Sequence, residues 1–494
     1  MATTSRLSRG AGQDVTRAQG WALALASVAS FMVVLDMLVV STALNTIRRD
    51  LGASIADLEW TVNAYTLAFA VLLMTGSAIG DRFGRRRVLA AGLALFTVAS
   101  ACCAVAPGVG WLIAARTVQG AGAALVMPLA LAVLNAAVPP RRRGWAMGIF
   151  GAVTSLAVVV GPVLGGAITQ GIAWQWIFWL NVPIGLAVIV LVLRRLDESH
   201  GPRAALDLPG LGLGTGAVLG LVWGLVRGSS VGWGSPEVAG SLAVGAALIV
   251  VFTRWELHAR APMLPMRLFA ARGFSAGSAA TFLLNACTSG AVFFMAQFLQ
   301  VGLGLDPLEA GLRLLPWGAA PFLIAPRAGR LADRIGDRPL VVSGLALQGA
   351  ALAWIAVIAG PRVSYAALAA PLFISGAGLG LAIPAVTKAV VGSVPAADIG
   401  TASGVFAAMR QLGGAFGVAI LSAVFTAGGS YASAGAFSDG FAPALAAAAG
   451  LALAGGLVAL ALPGRRRARR SAPAGDLIDV DVDVDVGVGV AGAD

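Results

Sequence analysis

The sequence predicts an all-α membrane protein with about fourteen transmembrane helices, on three observations. The chain of 494 residues is 58% hydrophobic and only 12% charged, where a soluble domain carries about 25% charged residues. Its apolar runs are each roughly twenty residues long and lack the period-two alternation of barrel strands, so helices rather than a closed barrel satisfy the backbone in lipid. The Lys and Arg residues are also unevenly placed. With the N-terminus cytoplasmic, 27 fall inside, 5 outside and 2 within spans. That is the positive-inside bias, and it supports an even number of spans with both termini inside. It also accounts for the net charge of +11 without nucleic acid.

Taken in order, residues 1–20 form a cytoplasmic tail carrying Arg6, Arg9 and Arg17. The first apolar run, about 24 residues, is long enough to stay as a helix rather than be cleaved as a signal. A six-helix unit over 21–200 has spans near 21–44, 58–79, 89–107, 111–138, 145–169 and 176–193. Arginine clusters at 82–87, 141–143 and 194–203 mark its cytoplasmic turns. A further pair, near 206–227 and 238–255, occupies 201–260. A second six-helix unit over 261–462 has spans near 273–301, 311–328, 340–360, 364–391, 401–427 and 441–462. The tail, 463–494, is basic from Arg465 to Arg470 and then alternates Asp and Val from Asp479 to Val486. The basic run reads as a topology anchor or a contact for anionic lipid, and the acidic run as low-complexity disorder.

Two turns resemble each other. Gly80-Asp81-Arg82-Phe83-Gly84-Arg85 closes the second span, and Ala332-Asp333-Arg334-Ile335-Gly336-Asp337-Arg338 closes the tenth. They lie about half the chain apart, on the same side and in the same helix context. Repeated six-helix halves with a substrate site between them are common among secondary transporters. Here the copies are eight spans apart, so the pair at 201–260 is inserted between the halves.

Five segments carry a family resemblance. The first turn, with Gly76 ahead of it, resembles the loop motif of the major facilitator superfamily. Arg116-Thr117-Val118-Gln119-Gly120 resembles its R-x-x-Q-G motif, and Gly161-Pro162-Val163-Leu164-Gly165-Gly166 its antiporter motif, with Ala157 at the usual leading glycine. Trp174 to Gly185, including Asn181-Val182-Pro183, looks like the junction of the fifth and sixth helices in the fourteen-helix drug:proton antiporter branch. Leu35-Asp36 with Val39, Val40, Ala43 and Leu44 resembles that branch's first-helix motif, although Leu38, Ser41 and Asn45 replace its Thr, Asn and Pro. The resemblance covers residues 20–460. It implies the major facilitator fold and proton-driven export of a hydrophobic or amphipathic drug or antibiotic across the cell membrane, conferring resistance. Arginine outnumbers lysine 33 to 1, which together with heavy Ala and Gly usage points to a high-GC bacterial genome.

Asp36 lies mid-run, where an ionised carboxylate costs about 2.5–3.5 kcal/mol on insertion scales and usually marks an ion or substrate path. It reads as the proton-carrying group, or as a structural acid bonded between helices. Arg116 shares a helix face with Gln119 and reads evenly as proton relay or permanent counter-ion; the resemblance favours the relay. Glu59, near the outer end of the second span, is a further proton or substrate candidate, or an interfacial charge. Arg410 with Gln411 is a similar ambiguity. Gly80, Asp81, Arg82, Gly84 and Arg85, with Asp333 and Arg334 in the second copy, are expected to act as a conformational switch between helices. Gly161, Pro162, Gly165 and Gly166 are expected to kink and closely pack a cavity-lining helix that opposes leak. Trp60, Tyr65, Phe150, Phe293, Phe294 and Phe298 line an aromatic cavity or simply pack.

The three cysteines lie inside apolar runs and there are only two histidines, so no disulfide framework, metal site, cofactor or enzymatic constellation is expected. The expected partners are a small-molecule drug, protons and the lipid bilayer, with no nucleic acid and no required protein. The alternative is an uptake permease or uniporter of the same fold, against which the antiporter motif argues.

Overall fold

The computed structural model describes residues 7–139, 143–201, 207–260, 262–395 and 398–464, and among these every regular element is a helix. The first group comprises α1 (Leu7–Leu51), α2 (Ile55–Phe83), α3 (Arg85–Ala104), α4 (Val109–Ala137), α5 (Arg143–Gly171), the single turn α6 (Trp176–Trp179) and α7 (Asn181–Arg195). A hairpin follows, α8 (Leu208–Val231) and α9 (Pro236–His258). The second group begins with α10 (Arg272–Gln297), which continues into a π-helical turn, Phe298–Gly302. It goes on through α11 (Pro307–Arg313), α12 (Leu315–Ile335), α13 (Asp337–Ile358), α14 (Tyr365–Val391), α15 (Ile399–Thr426) and α16 (Ala434–Ala459). The acidic and basic tail from 465 onward lies outside the described residues, as do Arg141, Arg142 and Arg203.

Helix starts are written locally. Ser54 caps α2 in a capping box: its hydroxyl accepts from the Asp57 amide, and the Asp57 carboxylate accepts from the Ser54 amide at 2.8 Å. Asp207, Ser235, Ser364 and Ser433 cap α8, α9, α14 and α16 in the same way. Among the described residues 12 helices are long and apolar enough to cross a membrane, or 13 when α2, bent by 51°, is taken as one span. The remaining expected span, 311–328, falls on α11 and α12. It is helical, but Pro321, Pro326 and Arg327 dilute its apolar run.

Within the first group α1 packs along α4 and α5, α2 along α4, and α3 along α4 and α7. In the second, α10 packs on α15 and α16, and α13 on α14 and α16. The α8–α9 hairpin touches both groups, because α8 lies on α2 and on α15. The groups meet along three seams, α2 with α15, α5 with α11 and α1 with α10. Gln300 donates to the Thr42 carbonyl at 2.9 Å, so α1 and α10 run parallel. Pro463, after α16, lies against Gly273 at the start of α10. The start of α1 and the end of α16 therefore share one face of the bundle, the terminal face. The polar contacts across the seams gather at the opposite face: Gln170 donates to Asp306 at 3.2 Å, and the Arg48 guanidinium sits 4.5 Å above the Tyr431 ring.

Candidate functional site

Asp36 lies midway along α1 and is 2% exposed. An ionised carboxylate there needs partners, and the neighbouring helices supply them. Arg116 of α4 donates through Nη1 to Asp36 Oδ2 at 2.5 Å, and both side chains are 1% exposed. Gln119, one turn further along α4, donates through Nε2 to Asp36 Oδ1 at 2.9 Å, and its Oε1 accepts from Arg116 at 2.7 Å. Asn181, the first residue of α7, donates to the same Oδ1 at 2.8 Å. Ser100 of α3 accepts from Gln119 at 3.1 Å and from Asn181 at 3.0 Å, and donates to the Phe178 carbonyl at 3.0 Å. The rest of the guanidinium is held by the Thr61 carbonyl at 3.3 Å and lies 4.2 Å from the Tyr65 ring centre.

Three helices, α1, α4 and α7, thus meet at one carboxylate inside the first group, with α2 and α3 completing the shell. Taking both charges out of water costs several kcal/mol per ion, and the hydrogen-bonded shell offsets that cost. The structure brings Asp36, Arg116 and Gln119 together. Ser100 and Asn181 were not singled out as site residues. Asn181 stood inside a quoted motif, whereas Ser100 is a lone serine in an apolar run and carries no sequence signal.

Glu59 belongs elsewhere. It is 1% exposed at the start of α2, on the α2–α15 seam beside Ser422, and takes no part in the Asp36 network. Asn63, one turn on, is also fully buried there, and neither of its side-chain polar atoms has a protein partner. Arg410 and Gln411 sit on α15 in the second group.

The switch residues close a turn within the first group. Gly84 ends α2 and opens α3 at φ +104°, a conformation that favours glycine, with the Glu198 carboxyl packed against its Cα. Asp81 pairs with Arg85 at 2.7 Å, and its backbone carbonyl accepts from the Gly201 amide at 3.2 Å. Arg85 donates its amide to Ser199, and Arg86 its amide to Glu198 at 2.9 Å. The loop is therefore fastened to residues 196–201, the segment leading to the hairpin. Gly80 packs against Leu129, and Arg82 stacks over Phe83 with 5.4 Å between guanidinium and ring centre. In the second copy Gly336 repeats the turn at φ +92° between α12 and α13, with Arg334 exposed. The Asp333 side chain lies outside the described residues.

The α5 motif works on two sides. Gly161 and Gly165 face α1, where an added Cβ would meet Leu38 at 2.8 Å and the Val39 carbonyl at 2.6 Å. Pro162 and Gly166 face α11: Gly166 lies against Pro307, and the Pro162 carbonyl against Gly311. The motif is thus a close-packed joint between the two groups. The aromatic candidates separate. Phe293, Phe294 and Phe298 are buried in the second group, Phe298 stacking on Phe441 at 4.2 Å. Tyr65 lies under Arg116, Phe150 packs in the first group, and Trp60 faces Trp223 of the hairpin.

A family model described as Major Facilitator Superfamily matches residues 26–418 and 277–477. Among similar curated proteins, the tetracenomycin C resistance and export protein of Streptomyces glaucescens is 34% identical over 82% of this chain and 76% of its own. The methylenomycin A resistance protein of Bacillus subtilis is 33% identical, over 86% of this chain and 92% of its own. A cephamycin export protein of Amycolatopsis lactamdurans is 36% identical, over 83% and 85%. The crystal structure of a POT family transporter in complex with a thioalcohol conjugated peptide superposes with a TM-score of 0.69 at 14% identity, covering 90% of this chain and 95% of that one, a likeness of fold.

Proposed function

The chain belongs to the Major Facilitator Superfamily, a family of transporters rather than enzymes, and from that premise we propose that it exports antibiotics by exchange for protons. Resistance and export are named in relatives that cover most of its length, which supports drug efflux as the activity. The substrate on this reading is a hydrophobic or amphipathic small molecule, moved outward across the cell membrane. Both termini face the cytoplasm on this reading, which the arginine distribution supports.

The single observation that carries proton coupling is the buried Asp36–Arg116 pair. When Asp36 takes a proton the ion pair becomes an ordinary hydrogen bond, and the guanidinium falls back on Gln119, Thr61 and the Tyr65 ring. The α1–α4 contact then loses its strongest link. Asp36 lies one turn from Val39 and less than two from Thr42, the residues of α1 that pack on Gly165 and accept from Gln300 of the second group. Protonation and the seam are therefore linked through one helix, and the two groups are the bodies that rock in alternating access.

Everted membrane vesicles under an imposed pH gradient test the proposal. Wild-type vesicles are expected to accumulate a relative's antibiotic, such as puromycin, only with the gradient. Asp36→Asn keeps the shape but not the titration, and is expected to abolish gradient-driven accumulation. Unchanged proton dependence in that variant removes Asp36 from the mechanism, and accumulation without any gradient dependence removes proton coupling altogether.

A further inference from the structure

Away from the Asp36 network, a cavity of about 990 Å³ lies between the first group and the α8–α9 hairpin. Its walls come from four helices: Trp60 and Leu67 of α2, Ile113 of α4, Leu219 and Trp223 of α8, and Val244 of α9. The volume is at the upper end of small-molecule sites, about 300–1,000 Å³. Its mouth opens at the apolar flank of the bundle, where Leu219 and Trp223 are each 43% exposed and Val244 57%. In a membrane that flank faces lipid.

The polar groups around the cavity are already committed. Thr117, Thr215 and Ser241 donate to carbonyls of their own helices at 2.9, 2.6 and 2.9 Å. Ser54 and Asp57 bond each other in the α2 capping box. Arg227 pairs with Glu237 at 3.0 Å, and Glu237 also accepts from the Trp223 indole at 3.0 Å. Among the described lining residues most of the surface left for recognition is therefore apolar and aromatic. The Trp223 ring is fixed by its bond to Glu237 and faces Trp60 with centroids 5.6 Å apart and planes at 48°. Two indoles at that angle form a wedge that a flat ring system stacks against and an acyl chain does not.

We propose that this lateral cavity is a binding site for an uncharged, flat aromatic lipophile taken from the bilayer, and that the inserted hairpin exists in part to build its outer wall. The binding claim stands on the cavity alone. That the bound compound is then exported rests on the function proposed above.

Gly240 offers the test. It lines the cavity on α9, and a Cβ there would meet nothing within 4 Å, so a larger side chain has room to start toward the space. The probe is N-phenylnaphthylamine, titrated onto the full-length protein in lipid nanodiscs and followed by energy transfer from tryptophan. Saturable binding is expected, weakened roughly tenfold in Gly240→Phe and unchanged in Gly240→Ala. Trp223→Leu keeps an apolar side chain but loses the ring, and is expected to weaken binding as well, which covers a failure of Gly240→Phe to fold. Equal affinity in wild type, Gly240→Phe and Trp223→Leu overturns the proposal. It is equally overturned if the part of brominated-phosphatidylcholine quenching that Trp223→Leu removes is as strong at saturating probe as without it, because an acyl chain then holds the site. Probe binding that responds to these variants while everted vesicles export nothing sinks the export reading alone; export with variant-insensitive binding sinks the cavity alone.

Discussion

The Asp36 carboxylate accepts from Arg116, Gln119 and Asn181, so each single loss has a different consequence. Replacing Arg116 by Met removes the counter-charge and leaves a buried carboxylate without its cation. Breaking a buried pair in that way costs about 3–5 kcal/mol, and the thermal unfolding midpoint of Arg116→Met in detergent is expected to fall well below wild type. Asp36→Asn with Arg116→Met removes both charges and is expected to recover most of that loss. If the double variant is no more stable than Arg116→Met alone, the two residues are not coupled as the geometry requires. Much of this site was legible in the sequence: a mid-span acid and a mid-span arginine are rare enough to stand out, and Gln119 follows from helix spacing. Ser100 and the bond from Asn181 were not, because apolar runs contain many small polar residues, and only the crossing of α3 and α7 decides which of them meets Asp36.

At the scale of the element, turns and breaks carry the information that hydropathy does not. Gly84 joins α2 to α3 at φ +104°, and Glu198 fills the space where its side chain would be. A Cβ there imposes backbone strain of about 1–3 kcal/mol and displaces the carboxylate that holds the Arg86 amide. Gly84→Ala is therefore expected to lower the unfolding midpoint, and pairing it with Glu198→Ala to recover only the steric part of the loss. An unaltered midpoint for Gly84→Ala excludes strain at this turn. The Asp-Arg-x-Gly pattern announced the turn and its copy at Gly336, because glycine suits that backbone. The fastening of the loop to residues 196–201 was not announced, since it joins segments more than a hundred residues apart. Span counting is least clear where composition is mixed: among the described residues 12 or 13 helices pass the length and apolarity test, short of the fourteen expected. The 51° bend in α2 and the prolines of α12 interrupt apolar runs, and a hydropathy window averages over them.

Across the whole molecule, the described contacts between the two groups place their polar closure at one end. On the face opposite the termini, Gln170 bonds Asp306, Gln300 bonds Thr42, Arg48 covers Tyr431, and the α5 joint presses on α11. These are small, mostly polar or glycine-mediated contacts, the kind that separate at modest cost when rigid bodies rock. If they are the closed gate of an alternating cycle, holding them shut stops transport without harming either group. Cysteines placed at Gln170 and Asp306, in a background where Cys102, Cys103 and Cys287 are replaced, sit within reach of a short, reducible bifunctional linker. Crosslinking is expected to abolish antibiotic accumulation in everted vesicles, and reduction to restore it. The yield is also expected to respond to the state of Asp36: a variant fixed without charge there shifts the balance of the two conformations and changes the crosslinking rate. Full transport by the crosslinked protein shows that this face does not gate. A yield indifferent to both the pH gradient and Asp36→Asn cuts the link between the buried Asp36–Arg116 pair and the seam two turns along α1.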